Sequence, residues 1–213
     1  MHLAKKGIAA DSKTLSYLTR IESNIDQITQ IFNFSNLYER IGLEKLIYVN
    51  IEKTIESASS FLSESPDTKL TVECHGLYVL ADSLLKQLFF NLIDNSIKHG
   101  KRISKLSLYY LIENDSDLKI IYEDDGVGVS YVEKQNIFKE GYSTDGGTGY
   151  GLYLIRKLTE VYGWTIQETG NPEKGAQFTI KIPEKNQDNE KNFQLRPDVE
   201  SKNVLLKGDK NSC

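Results

Sequence analysis

The sequence predicts an α+β fold: a two-layer sandwich in which a mixed sheet carries helices on one face, with a long helix ahead of it. Three observations predict it. Between residues 43 and 183, strand-like runs come first in neighbouring pairs and then alternate with helical runs. Ahead of Gly42, apolar residues repeat at heptad spacing. Finally, 213 residues of which 39% are hydrophobic can bury one substantial core and leave about forty to sixty residues for appendages. The expected organisation is a helical region over 1–42, a globular domain over 43–183 and a polar, disordered tail over 184–213.

Each element has its own warrant. Over 14–38, Leu18, Ile21, Ile25, Ile28 and Phe32 fall at spacings of three, four, three and four, so one stripe of the helix seeks a partner, and Gly42 ends it. A strand at 45–49 and a helix at 51–63 follow, closed by the turn Ser65-Pro66-Asp67. Residues 69–74 and 78–81 read as the two strands of a hairpin, and Asp82 or Ser83 caps the long helix after them. Strands at 105–113 and 118–123 flank the turn Asn114 to Asp117. Loop sequence then runs from Gly126 to Gly151, a stretch holding seven of the fifteen glycines. A helix at 152–162 and a hairpin of 164–168 with 177–182 complete the domain.

Composition excludes several function classes. A net charge of -4 with scattered basic residues gives no footprint for nucleic acid. The longest apolar run is too short for a bilayer, and the first ten residues do not resemble a signal peptide, so a cytoplasmic setting is expected, with any membrane attachment of a full-length protein made upstream. Cys74 and Cys213 lack metal-ligand spacing and are expected as free thiols.

Three clusters carry chemistry. In FFNLIDNSIKHGKR, Gln87, Asn91, Asn95 and Lys98 share one helix face while Leu85, Phe89, Leu92 and Ser96 share another. A solvated face would present the same periodicity, but it would favour Glu and Lys over Asn, a poor helix former. An amide oxygen suits Mg²⁺, and a lysine three residues on suits phosphate. In YEDDGVGVS, Asp124 ends a strand before Gly126 and Gly128; a tight acidic turn explains this, and so does a carboxylate that accepts from the exocyclic amine of adenine. In TDGGTGYGLYLIRKL, Gly147, Gly149 and Gly151 open a helix, where backbone amides and the helix dipole favour phosphate. It fits neither the P-loop nor the dinucleotide fingerprint. The glycine-rich stretch 139–147 before it suits a lid.

These clusters, in this order and with GAQF at 175–178, resemble the N, G1, F, G2 and G3 boxes of the ATP-binding domain shared by sensor histidine kinases, gyrase-type topoisomerases, heat-shock chaperones and mismatch-repair ATPases. The likeness covers about 43–183, and NLIDNSIKH, DDGVG, IFKEGYS and GTGYGL look most like sensor histidine kinases. The resemblance implies a Bergerat-type ATP-binding fold with ATP and Mg²⁺ as cofactors. It implies that Asn95 holds Mg²⁺, that Asn91 and Lys98 face the phosphates as the catalytic pair, and that His99 lies beside ribose or phosphate. It further implies that Asp124 binds the adenine amine, that Gly126 and Gly128 line the base, and that Gly147, Thr148, Gly149, Gly151 and Leu152 hold phosphate. The heptad helix resembles the second helix of the kinase dimerisation and phosphotransfer hairpin, which implies a homodimer, and a response regulator is the implied protein partner.

Two departures stand out. No histidine is followed by an acid on a first dimerisation helix, as an acceptor normally is: His2 precedes Leu3, His75 sits between strand residues before Gly76, and His99 belongs to the nucleotide box, so the acceptor is expected outside this chain. Ala176 stands where relatives often carry Thr. Two rival readings are a serine kinase of the anti-sigma type, similar through NSIKHG but predicting Glu at position 91, and a degenerate nucleotide-binding scaffold that only dimerises.

Overall fold

A computed structural model describes residues 12–64, 68–113, 117–144 and 147–196. Helix α1, Ser12–Arg40, comes first, and Gly42 leaves it at a φ of 77°. Strand β1, Ile47–Asn50, leads directly into α2, Ile51–Ala58, because the Asn50 side chain accepts a hydrogen bond from the Lys53 amide and caps the helix at 2.9 Å. A 3₁₀ turn, Ser60–Glu64, takes the place of the last part of the expected helix.

Strands β2, Lys69–Glu73, and β3, Leu77–Ala81, precede α3, Leu85–His99. Neither Asp82 nor Ser83 caps the helix as expected: the cap residue is Leu84, which has no side-chain cap bond, and Asp82 Oδ1 accepts from the Leu84 amide at 2.9 Å just ahead of the first turn. Strands β4, Lys105–Ile112, and β5, Leu118–Asp124, are followed by the long loop, α4 at Gly151–Val161, β6 at Thr165–Glu168, β7 at Gln177–Ile182 and β8 at Phe193–Leu195.

The large sheet has the order β2-β4-β5-β7-β6, mixed because β2 runs parallel to β4 while the other pairs are antiparallel. Period-two alternation sends Leu106, Leu108, Leu118, Ile120, Tyr122, Phe178, Ile180 and Ile182 into the core. They meet Leu85, Leu88, Phe89 and Leu92 of α3 and Leu154, Ile155 and Leu158 of α4. The other face is polar, where Tyr109 and Gln177 both donate to Glu123. Cys74 is buried and free; burial first, then Glu52 and Glu73, pushes its thiol up to about 12. Cys213 and the turn Ser65-Pro66-Asp67 lie outside the described residues, as does most of the turn Asn114 to Asp117.

Two further expectations are corrected. The chain turns at Gly76 as predicted, but β2 and β3 do not pair: β2 joins the large sheet, and β3 forms a second sheet between β1 and β8. Leu77, Val79, Leu80 and Ala81 are all buried, and β1 and β8 occupy both edges of β3, leaving none for β2. The expected disordered tail is also corrected over its first part, 184–196, while 197–213 lie outside the described residues. Residues 184–196 fold back, Asn192 is 1% exposed and donates to Pro183 O, and β8 covers an edge that would otherwise expose unpaired backbone.

The heptad stripe does not face the domain: Ile21, Ile25, Ile28 and Phe32 are exposed, while Phe34 and Leu37, off the stripe, and Ile41 just past the helix pack on the domain core. No described helix is long and apolar enough to cross a membrane.

Candidate functional site

A cavity of about 800 Å³ opens between α3, the end of β5, the loop after it and the start of α4. The two faces predicted for α3 are real: Leu85, Leu88, Phe89 and Leu92 are buried in the core, while Gln87, Asn91, Asn95 and Lys98 line the cavity. Asn91 is only 8% exposed and already has partners, since its Oδ1 accepts from Gln87 Nε2 at 2.8 Å and its Nδ2 donates to Gly151 O at 3.1 Å. It therefore ties α3 to the glycine loop. One turn later Asn95 differs: its Nδ2 is buried with no hydrogen-bond partner. A β-carbon on Gly151 would lie 3.7 Å from Asn95 Oδ1, so this amide sits against the start of α4.

Lys98 Nζ pairs with Asp94 Oδ2 at 2.7 Å, one turn back on the same helix. The pair is partly exposed, and a lysine has two further donors to offer. His99 lines the cavity rim beside it. His75 is far from this setting in kind, an exposed turn residue whose Nδ1 lies 2.6 Å from Glu52 Oε1, and His2 is outside the described residues.

Asp124 ends β5 and borders the same cavity. Its Oδ1 accepts from the amides of Gly126 at 3.0 Å and Ala176 at 2.9 Å, and its Oδ2 accepts from Ser96 Oγ at 2.5 Å. The chain passes so close here that a β-carbon on Gly175, at a φ of 100°, would fall 1.8 Å from Asp124 O. Only glycine fits. Gly128 lines the cavity as expected, but Gly126 does not: it packs behind Asp124 against Gly100 and Ile103 and contributes its amide.

Gly147, Thr148, Gly149, Gly151 and Leu152 all border the cavity. Gly149 adopts a φ of 70°, and a β-carbon there would come within 2.3 Å of the Gly141 backbone, so the loop before α4 is packed tightly on the chain at 141–142. Its other neighbour is α1. Thr148 Oγ1 donates to Gln30 Oε1 at 3.4 Å, and the Phe34 ring stacks on Tyr150 at 4.3 Å between centroids with 16° between planes.

Sequence reasoning missed Ser96 and the Ala176 amide as partners of Asp124, missed Tyr122 as the partner of Ser96, and missed Gln30 and Phe34 as cavity residues. The signal for Ser96 was present: a single hydroxyl on an otherwise apolar helix face must find a buried partner. Nothing in the heptad pattern marked Gln30 or Phe34, which lie off the stripe.

Comparison with known proteins bears on this geometry. Residues 81–186 match the family described as histidine kinase-, DNA gyrase B-, and HSP90-like ATPase. The sensor protein GacS of Pseudomonas syringae pv. syringae is 26% identical over 217 residues, which takes in 91% of this chain and 24% of GacS. The sensor protein CiaH of Streptococcus pneumoniae serotype 4 is 30% identical over 115 residues, 51% of this chain and 26% of CiaH. The chain thus spans about a quarter of the length of these relatives. In fold it is similar to full-length ShkA crystallised with AMPPNP, with a TM-score of 0.63 at 21% identity over 84% of this chain and 40% of ShkA. A helix carrying the paired asparagines, a strand ending in Asp124 and a glycine loop opening α4 converge on one cavity within the matched residues, and residues 81–186 form a histidine kinase-, DNA gyrase B-, and HSP90-like ATPase domain in a chain similar to sensor histidine kinases.

Proposed function

We propose that this chain is the ATP-binding catalytic part of a two-component sensor histidine kinase and that it transfers the γ-phosphoryl of ATP to a histidine outside this chain. The observation that carries the reading is the cavity itself, lined at one end by Asp124 and at the other by Asn95, Lys98 and the Gly147–Leu152 loop. Asp124 accepts the adenine amine, with Gly128 against the ring. Thr148, Gly149, Gly151 and Leu152 present amides and the positive end of α4 to the phosphates, with Gly147 at the loop entry.

Asn95 is the metal ligand in this reading. Among the described residues no group of three or more His, Cys, Asp or Glu side chains could hold a metal ion. One amide oxygen, Asn95 Oδ1, suits Mg²⁺ carried in by the nucleotide, because Mg²⁺ keeps its waters and substrate phosphates and takes few protein oxygens. The unpartnered Asn95 Nδ2 is a donor and suits a phosphate oxygen of the same nucleotide, since a polar atom buried without a partner is otherwise destabilising, while Oδ1 is the atom that would face the metal. When bound, Mg²⁺ neutralises charge on the phosphates.

Phosphoryl transfer asks the protein mainly for positioning and charge. Lys98 turns a donor from Asp94 toward the γ-phosphate, Asn91 anchors the loop that holds it, and His99 lies beside the ribose or phosphates. Position 91 carries Asn rather than a Glu that could act as a base for water, and a neutral histidine nucleophile needs none. The exposed stripe of α1 serves a homodimer, a response regulator receives the phosphoryl group in turn, and the setting is cytoplasmic.

Calorimetric titration with an ATP analogue, with and without Mg²⁺, tests the reading. Binding that strengthens with Mg²⁺ is expected, and no binding under either condition would sink it. Incubation with radiolabelled ATP should leave the chain alone unlabelled; acid-labile phosphate on His75 or His99 would place the acceptor inside it.

A further inference from the structure

Behind Asp124 lies a chain of hydroxyl groups that the base-binding role does not require. Tyr122 Oη donates to Ser96 Oγ at 2.7 Å, and Ser96 Oγ donates to Asp124 Oδ2 at 2.5 Å. Tyr122 is fully buried and Ser96 is 4% exposed. The direction of both bonds is set by counting protons. An ionised carboxylate only accepts, so the one Ser96 hydrogen goes to Asp124; Ser96 can then only accept from Tyr122, whose one hydrogen goes to Ser96. Burial pushes the Tyr122 phenol well above its ordinary range, so it stays a donor at any physiological pH.

The geometry points to Ser96 and Tyr122 as positioning residues for base selection: the relay from Tyr122 through Ser96 holds the Asp124 carboxylate at the angle that leaves one Oδ2 acceptor position open to the 6-amino group of a purine. This rests on the reading that Asp124 accepts that amine. The two Oδ1 bonds alone, from Gly126 and Ala176, fix one oxygen and leave rotation about the Cβ–Cγ bond to be limited by Ser96. Ser96 is well placed for this, since it leaves α3 on the core side and also borders the cavity, whereas Tyr122 belongs to the rigid centre of the sheet. A helix and a strand are thereby locked together at the atom that chooses the base.

The test compares affinity for ATP with that for purine riboside triphosphate, which lacks the exocyclic amine, in the whole chain with Mg²⁺ present. Ser96→Ala and Tyr122→Phe should each reduce the preference for ATP, by about three- to tenfold for Ser96→Ala and less for Tyr122→Phe. Because the groups act in series, the double variant should be no worse than Ser96→Ala alone. A purely structural role would weaken both nucleotides equally and leave the preference intact, which would overturn the proposal. Asp124→Asn is the control: if it abolishes the preference while both relay variants keep it, the relay is wrong and the base assignment stands. If Asp124→Asn keeps the preference, the base assignment fails and takes the relay with it. Circular dichroism melts of each variant identify any loss of fold.

Discussion

At the Asp124 end of the cavity, three donors hold the carboxylate and leave one acceptor position on Oδ2: two backbone amides and one buried hydroxyl. At the glycine-loop end, Asn95 has a buried amide nitrogen with no partner, Lys98 is engaged by Asp94, and Thr148 and Tyr150 are held by residues of α1. The first end is organised before any ligand arrives. The second must exchange partners to receive one. The difference teaches how one pocket separates two tasks: a rigid end selects the base with little reorganisation, whereas a loop end in which contacts are traded makes phosphate binding responsive to the surrounding chain.

Asn95→Ala breaks the comparison most severely. It should abolish the Mg²⁺-dependent part of nucleotide affinity while adenosine binding persists, as read by calorimetry. Retention of Mg²⁺-dependent affinity would mean that the metal is held elsewhere. Gly149→Ala should come next, since its β-carbon would lie 2.3 Å from backbone and a non-glycine residue at that φ adds about 1–3 kcal/mol of strain. ATP should bind at least about tenfold more weakly and adenosine as before. Equal losses for both ligands would show that the two ends are not independent.

The smallest effect is expected from Phe34→Ala, which removes a stacked ring pair worth about 0.5–1.5 kcal/mol. Hydrogen exchange should quicken at 147–152 and stay unchanged at 124–126. Exchange over 139–144 in the parent chain sharpens the same contrast, since protection there should rise with an ATP analogue and not with adenosine. Uniform protection in all states would argue that both ends are equally preformed.

Much of the site was legible because it depends on periodicity and on residue chemistry. The spacing of Asn91, Asn95 and Lys98 put them on one face of α3, and Asp124 before two glycines located a strand end. What escaped was set by contacts distant in sequence. The β2 and β3 runs look like a hairpin locally, and only the competing edges of β1 and β8, the latter more than a hundred residues away, separate them. Residues 184–196 read as tail because their pairing uses backbone, which composition does not report. Gly126 read as a wall of the cavity because its role as an amide donor behind Asp124 needs Gly100 and Ile103 in place.

The contact between Phe34 and Tyr150 has a mechanical side. Helix α1 runs from Ser12 to Arg40, so its start stands 22 residues, or about 33 Å, from Phe34 at 1.5 Å per residue. The stacked rings sit near the fulcrum of a long arm. A rotation of about 10° at that fulcrum moves the far end sideways by about 6 Å, and a displacement of about 6 Å imposed there is geared down to a fraction of an ångström where the rings touch the loop. Such an arm converts a coarse movement at one end of the molecule into a fine adjustment at the other.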